Sequence, residues 1–179
     1  RSLVSNSGVV ASEASGAGTA RSLLSASTFG SSGQAIFAYG NNGSSNALSM
    51  SNLVSDSGVV ASDVSGVGTG RRMLAAARYG SGLAIFAYGE SASSTLGTSN
   101  KVSNTGVVAA DVSGVGTARY SLTATDFGGD KGLFFGGVPG PVSISNLVSN
   151  TGVIASDTAG ASGVRASSLF SAAGYSYSA

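Results

Sequence analysis

Residues 52–63 read Asn-Leu-Val-Ser-Asp-Ser-Gly-Val-Val-Ala-Ser-Asp, and close variants of this stretch occur three more times in the chain. The glycine of each Gly-Val pair recurs at Gly8, Gly58, Gly106 and Gly152, at intervals of 50, 48 and 46 residues. An acid follows each glycine by five residues, and an arginine follows each acid by eight. Because a fixed period of roughly 40–50 residues is typical of repeat architectures, the chain is predicted to be an array of equivalent units.

Four short segments make up one unit, and each is bounded by Gly, Asn, Asp or Ser. Such segments, apolar or alternating and flanked by turn residues, are typical of β-strands. Glycine every few residues disfavours helices, since each costs roughly 1 kcal/mol against alanine. In the unit 21–70 the predicted strands A to D are Arg21–Ser27, Gln34–Tyr39, Leu48–Val54 and Val59–Ala61.

Four antiparallel strands in a repeat of this length indicate a β-propeller blade. Strand B supports this prediction because it carries large side chains on both faces, and a blade packed between two neighbours buries both. We therefore expect an all-β fold, a single four-bladed β-propeller domain spanning 1–179. Three blades are complete, and the fourth is shared between the termini so that no sheet edge stays open. The blades are 21–70, 71–118, 119–164, and 165–179 plus 1–20.

Two other architectures stay open at this point. A parallel β-helix also repeats short strands, but its coils are usually shorter than this repeat. An open arc taken from a longer propeller would have the same blades without closure. The weak point of the closed ring is the segment after Arg165, where no clear aromatic strand B follows.

Composition narrows the possible functions. The chain has 179 residues with nine basic and eight acidic side chains, a net charge of +1, and no basic cluster. Nucleic-acid binding needs clustered cations that neutralise phosphates, so we predict none. No apolar run approaches the roughly 18 residues of a membrane span, so no membrane insertion is expected.

Only 9% of residues are charged, and a surface with a net charge near zero resists association poorly. We expect self-association.

Histidine and cysteine are both absent. Their absence excludes a Ser-His-Asp triad, a Cys-His pair and a thiolate or imidazole metal site. The sequence Gly-Val-Gly-Thr at 66–69 and 114–117 lacks the lysine and the helix of a phosphate-binding loop. We therefore predict no catalytic residue, no bound metal, no cofactor and no enzymatic activity. A catalytic pair of carboxylates is the remaining enzymatic alternative, but most of the few acids occupy equivalent repeat positions, which indicates a structural role.

The repeated acids and arginines are the first candidate site. We expect them to be structural pairs between blades, each acid bonding the arginine eight residues on or capping the loop that leads to it. The alternative is a ring of carboxylates on the axis that binds a cation, since hard cations prefer several oxygen ligands. The residues concerned are Glu13, Arg21, Asp63, Arg71, Asp111, Arg119, Asp157 and Arg165.

The loop between strands B and C is the second candidate site. Its length varies between units, whereas the spacing from the strand C asparagine to the next arginine is constant. Variable loops tolerate change and often carry binding residues. Asn41, Asn42, Glu90 and Ser91 lie there and could hydrogen-bond a glycan, although a solvated loop is the simpler interpretation. Tyr175 and Tyr177 could stack on a sugar.

The segments Arg21…Ala35-Ile-Phe-Ala-Tyr-Gly40 and Arg119…Gly132-Leu-Phe-Phe-Gly-Gly137 resemble the kelch repeat, in which an Arg-led strand precedes a strand ending in Gly-Gly. Only the third unit has the Gly-Gly pair, and the kelch tryptophan is missing because the chain has none. The sequence Asn-Leu-Val-Ser-Asn-Thr-Gly-Val at 146–153 looks like repeats of phage and metagenomic virion-associated proteins. The resemblance implies a kelch-like propeller that acts as a binding platform.

Together these observations predict a non-enzymatic structural or adhesive protein of a virion or an extracellular surface. Its expected partners are further copies of itself or other virion or surface proteins. The alternative is a lectin-like module that binds carbohydrate through its B–C loops. Several quasi-equivalent sites would then add avidity.

Overall fold

Ten short strands and no helix make up the described part of the computed structural model, which comprises residues 2–5, 7–13, 15–43, 46–139 and 143–160. The strands form three separate antiparallel sheets, one for each complete repeat unit. The first sheet is β1 (Ser25–Phe29), β2 (Gln34–Ala38) and β3 (Ser51–Val54); the second is β4 (Ala75–Tyr79), β5 (Leu83–Ala87) and β6 (Ser99–Val102); the third is β7 (Thr123–Phe127), β8 (Lys131–Phe135), β9 (Ile144–Val148) and β10 (Thr158–Ala159).

The register of the sheets is the same in each unit. The phenylalanine of the central strand lies opposite the asparagine of the following strand, as in the pairs Phe37–Asn52, Phe86–Asn100 and Phe134–Asn146. Since side chains alternate along a strand, this register fixes which face each asparagine side chain occupies. The repeat in sequence is therefore a repeat in three dimensions.

The prediction of a four-bladed propeller with four-stranded blades is wrong for this structure. The described residues form three sheets of three, three and four strands, and no sheet among them is closed. Residues 165–179, one of the two segments of the expected fourth blade, lie outside the described residues. The described part of 1–20 forms one β-bridge, Val4–Val10.

Strand D is where the prediction fails within a unit. After the turn at Gly58, the chain pairs with β3 only at Val60 and Val64, and the same happens after Gly106 in the second unit. Between these two bridges lies Asp63, whose carboxylate bonds to the loop before Arg21 instead of lying in a continuous ladder. An apolar run such as Val59–Ala61 indicated a strand, but side-chain bonds to another segment limit the pairing to isolated bridges.

The sheets stack in chain order through repeated backbone hydrogen bonds. Met73 N–H donates to Leu23 O at 2.9 Å, and Ser121 N–H donates to Met73 O at 2.8 Å. In the same way Gly40 N–H donates to Arg71 O and Gly89 N–H to Arg119 O, both at 2.8 Å. Each unit thus meets the next through the same joint, as in quasi-one-dimensional repeat proteins.

Two apolar clusters fill the joints. The first lies between the first and second sheets and the second between the second and third, so both faces of the middle strand β5 are covered. Ile85 and Phe86, which are adjacent in sequence, are both fully buried, one in each cluster. Two-sided burial of the central strand agrees with the large side chains on both of its faces.

The described ranges contain no helix that could span a membrane.

Candidate functional site

The strand C asparagine is the centre of a hydrogen-bonded group that recurs in each unit. In the second unit, Asn100 Oδ1 accepts a short hydrogen bond from Arg71 Nη2, and its Nδ2 donates to Ala109 O and to Asp111 Oδ1, both at 2.9 Å. Arg71 Nη1 donates to Thr98 O at 2.8 Å. The amide therefore joins the arginine, the returning backbone and the acid of one unit.

The acid continues the group into the loop before the arginine. Asp111 Oδ2 accepts hydrogen bonds from the backbone N–H of Thr69 at 2.9 Å and from its Oγ1 at 2.8 Å. We call this arrangement of threonine, arginine, asparagine and acid the asparagine box. The three boxes are Thr19, Arg21, Asn52 and Asp63; Thr69, Arg71, Asn100 and Asp111; and Thr117, Arg119, Asn146 and Asp157.

The structure corrects the expected pairing of acid with the arginine eight residues on. Asp63 lies beside Arg21, which precedes it, while Arg71 bonds to Asn100. The third unit has the ion pair Arg119–Asp157, with 4.0 Å between Nη1 and Oδ1. The reason is the hairpin after strand C, which folds back on that strand and brings each acid to the asparagine of its own unit. The expected capping of the loop by the acid matches the bonds to threonine.

Two members of the predicted set lie apart from the boxes. Glu13 is exposed, and Ser2 takes the position that asparagine has in the later units. Arg165 lies outside the described residues.

Hydrogen bonds hold the pKa of each boxed aspartate below its ordinary value. For Asp63, the bond from the Asn52 amide contributes most, followed by those from Thr19. For Asp111 and Asp157, partial burial acts in the opposite direction, but the bonds from asparagine and threonine together outweigh it and lower the pKa. Carboxylates stabilised as anions in this way are poorly suited to proton transfer near neutral pH.

The three carboxylates do not converge on one point, because each is bonded within its own box. No group of three or more His, Cys, Asp or Glu residues in the described ranges is arranged to hold a metal ion. The structure gives no support to an axial ring of carboxylates.

An aromatic ring from the preceding unit covers the buried arginine. The Arg71 guanidinium lies 4.5 Å from the centroid of the Tyr39 ring, and the Arg119 guanidinium lies 3.9 Å from that of Tyr88. Both arginines are fully buried. Cation–π contacts can reach about 2 kcal/mol when the cation is desolvated, so this stacking helps to compensate the burial of the charge.

Each tyrosine also contacts the next unit edge-on. Tyr39 meets Phe86, and Tyr88 meets Phe134, in both cases with ring centroids 5.5 Å apart. Burial raises the pKa of both tyrosines. Both tyrosines have positive φ angles, 66° and 64°. Their role could not be predicted locally, because each contacts an arginine more than 30 residues later. The shared Ala-Tyr-Gly at 38–40 and 87–89 was the available signal.

The predicted B–C loop residues belong to separate loops. Asn41 is buried, its backbone bridges to Ser22 and Ala47, and its Oδ1 accepts from Gly43 N–H at 2.7 Å. Glu90 is its equivalent in the second unit, and its Oε1 lies 2.8 Å from Arg72 Nε.

The remaining predicted loop residues have local or exposed positions. Ser91 bonds to Ser94, and Asn42 is exposed. Tyr175 and Tyr177 lie outside the described residues. Glycan binding by these residues stays a prediction.

The comparisons with known proteins do not identify a family. No family model matches the chain, and no curated protein matches it.

Proposed function

We propose that the protein is a non-enzymatic structural component of a virion or an extracellular surface, and that it acts by association with further copies of itself. One observation carries the association. The valine that follows each hairpin glycine is exposed in all four copies: Val9 by 64%, Val59 by 57%, Val107 by 64% and Val153 by 61%. We call these four residues the valine series.

The valine series is costly to leave in water. Burial of apolar surface contributes about 25 cal/mol per Å², and the same side chain is presented four times at equivalent positions. Contiguous exposed apolar surface marks interaction sites, and we propose that the equivalent valines of successive units form such a surface. With only 17 charged side chains in 179 residues, little electrostatic repulsion opposes contact between copies.

The cellular setting is proposed from the sequence. The Gly- and Ser-rich, weakly charged composition is common in surface proteins, and the repeats resemble those of virion-associated proteins. Labelling native particles and whole cells with an antibody tests this part. Label on particles or on the cell surface is expected, and label confined to the cell interior would contradict it.

Sedimentation velocity over a wide concentration range tests the association. We expect the wild type to form larger species as its concentration rises. The triple variant Val59→Lys/Val107→Lys/Val153→Lys should weaken this association at least tenfold, because burying a lysine charge is unfavourable.

The matched control places the same three charges in the same hairpins, at the exposed residues Ser57, Thr105 and Thr151. This control should associate more strongly than the valine variant. Equal association of both variants would show that added charge, and not loss of the valines, explains the effect. A wild type that stays a single copy at every concentration would overturn the proposed function.

A further inference from the structure

Among the described residues no sheet precedes that of the first unit, and its open face has a cavity. Its volume is about 190 Å³, and its lining includes Ala17, Thr19, Arg21, Leu24, Phe37 and Val60. We call it the ring socket. It combines the cation of an asparagine box with an apolar wall.

The equivalent positions in the later units each surround a tyrosine ring. Tyr39 packs in one cluster with Leu74 and Phe86, and its ring covers Arg71. These three neighbours correspond to Leu24, Phe37 and Arg21 of the ring socket. The third unit repeats the arrangement with the Tyr88 ring against Leu122, Phe134 and Arg119. The described structure thus holds the occupied form of this cavity twice.

Exposure shows the difference between the filled and unfilled forms. Phe86 and Phe134 are fully buried beside their tyrosines, whereas Phe37 is 36% exposed. Arg71 and Arg119 are likewise fully buried, and Arg21 is only partly buried. An apolar ring over Phe37 and Arg21 would remove the exposure that distinguishes the first unit.

The ring socket also offers an acceptor for a phenol. In the third unit, Tyr88 Oη donates to Val115 O at 3.1 Å. Ala17 lies at the equivalent position of the first unit and lines the ring socket. A tyrosine hydroxyl in the ring socket could donate to Ala17 O as Tyr88 Oη donates to Val115 O, whereas the buried Tyr39 hydroxyl of the second unit has no hydrogen-bond partner among the described residues.

We infer that the ring socket binds a tyrosine side chain from the 161–179 segment of a second copy of this chain. The chain has six tyrosines. Tyr39 and Tyr88 fill the joints, Tyr79 is buried against Gly152, and Tyr120 takes the position of Ser22 and Arg72. The two that remain are Tyr175 and Tyr177.

This inference rests on the proposed self-association and specifies one of its contacts. A surface of one copy that receives a different surface of the next is a heterologous contact, which extends an assembly head to tail. The ring would enter the first unit as Tyr39 enters the second, so the contact between copies continues the joint between units. The valine series lies elsewhere, in the hairpins.

Complementation between two variants tests the source of the ring. Ala17→Phe fills the ring socket from its own wall and keeps both C-terminal tyrosines. Tyr175→Ala/Tyr177→Ala keeps the ring socket and lacks the ring. Each variant alone should lose at least tenfold in head-to-tail association by sedimentation velocity, and an equimolar mixture should form a one-to-one dimer. Ala11→Phe, the same replacement at an exposed residue outside the ring socket, should behave as the wild type.

The outcomes separate this inference from the proposed function. If the wild type assembles and Ala17→Phe assembles equally well, the ring socket is not the contact and the function stands. If the wild type never assembles, both fail. If Tyr175→Ala/Tyr177→Ala increases the solvent exposure of Phe37 without changing the mass of the species in solution, the tyrosine ring comes from the same chain. The inference of a second copy would then be wrong.

A small probe tests the chemistry of the ring socket directly. In Tyr175→Ala/Tyr177→Ala protein, 4-methylphenol should perturb the NMR signals of the Phe37 ring saturably, and toluene should bind several-fold more weakly because it lacks the hydroxyl. Adding Tyr39→Ala opens the equivalent cavity at Arg71 and should create a second site, whereas adding Ala17→Phe should remove the first. No saturable binding, or equal binding of toluene, would overturn the inference.

Discussion

The side-chain amide of Asn100 both accepts and donates hydrogen bonds. Its oxygen accepts from the buried Arg71, and its nitrogen donates to Ala109 O and Asp111. A carboxylate at this position could accept but not donate, and an ammonium could donate but not accept. The constant spacing from this asparagine to the acid follows from this requirement, since one amide must reach two fixed partners.

Replacing Asn100 with alanine should destabilise the protein by about 3 kcal/mol. The buried Arg71 guanidinium would keep its bonds to Thr98 but lose the Asn100 acceptor, and Ala109 O would lose a donor. Urea denaturation measures the change. Asn104→Ala is the matched control, because Asn104 is an exposed turn residue of the same unit, and it should change stability by less than about 0.5 kcal/mol. Equal effects of the two variants would contradict the central role of the box.

Stability should fall with acidification because of the boxed aspartates. Their pKa is lower in the folded protein than the ordinary 3.8. A group with a depressed folded pKa stabilises the protein above its unfolded pKa, and this contribution is lost as the pH falls through the folded pKa. We therefore expect a constant contribution above about pH 5 and a progressive loss below pH 4.

Thermal melts between pH 2.5 and 6 measure this loss. In Asp111→Asn, the melting temperature should fall less steeply below pH 4 than in the wild type. Asp56→Asn, at an exposed turn residue outside the boxes, should show the same dependence of melting temperature on pH as the wild type. A wild-type melting temperature that does not change below pH 4 would contradict the prediction.

At the scale of elements, the hairpin after strand C is closed by a glycine that lies directly on the preceding unit. A Cβ on Gly106 would lie 2.7 Å from Leu53 Cδ2 and 2.9 Å from Phe29 Cζ, and the residue has a φ of +81°. Gly33, in the β1–β2 turn, has a similar φ of +73° and nothing within 4 Å of such a Cβ. Gly106 is therefore required both by packing and by backbone conformation, whereas Gly33 is required by conformation alone.

Gly33→Ala should cost about 1–2 kcal/mol, the left-handed penalty of a residue with a Cβ. Gly106→Ala should cost a further 1–3 kcal/mol or so, because the overpacked ring of Phe29 must move. Chemical denaturation of both variants gives the difference. If Gly106→Ala is no worse than Gly33→Ala, the contact between the hairpin and the preceding unit is not tight.

Much of the element structure could be predicted from the sequence. Strand B was predicted over Gln34–Tyr39 and is observed as Gln34–Ala38, because alternating aromatics flanked by glycines are a strong local signal. Strand C was predicted over Leu48–Val54 and is observed only from Ser51. The predicted strand D is reduced to isolated bridges, since the bonds of Asp63 to Thr19 depend on a segment more than 40 residues earlier.

The candidate site was harder to predict than the strands. Constant spacing correctly indicated that the acids and arginines are equivalent, but it suggested the wrong partner for each acid. The spacing from this arginine to its acid, as from Arg21 to Asp63, changes between units with the lengths of the A–B turn and the B–C loop, and this variation concealed the true pairing. The stacking of Tyr39 on Arg71 depends on how two sheets pack, which no local pattern contains.

At the scale of the whole molecule, the sheets form a series in which the middle one is covered on both faces. Stability in such an array is approximately a sum of unit and nearest-neighbour contributions. The second sheet takes part in both apolar clusters, and the first takes part in one. The first sheet also carries the ring socket and the half-exposed Phe37.

Amide hydrogen exchange at two protein concentrations tests both the packing of successive sheets on one another and the uncovered face of the first sheet. In dilute protein, the amides of Leu83–Ala87 should exchange most slowly and those of Gln34–Ala38 faster, because the middle sheet is supported from both sides. At high concentration, protection should rise selectively at Gln34–Ala38, where a second copy covers Phe37. Slowest exchange in the first sheet, or rates there that do not depend on concentration, would contradict the account.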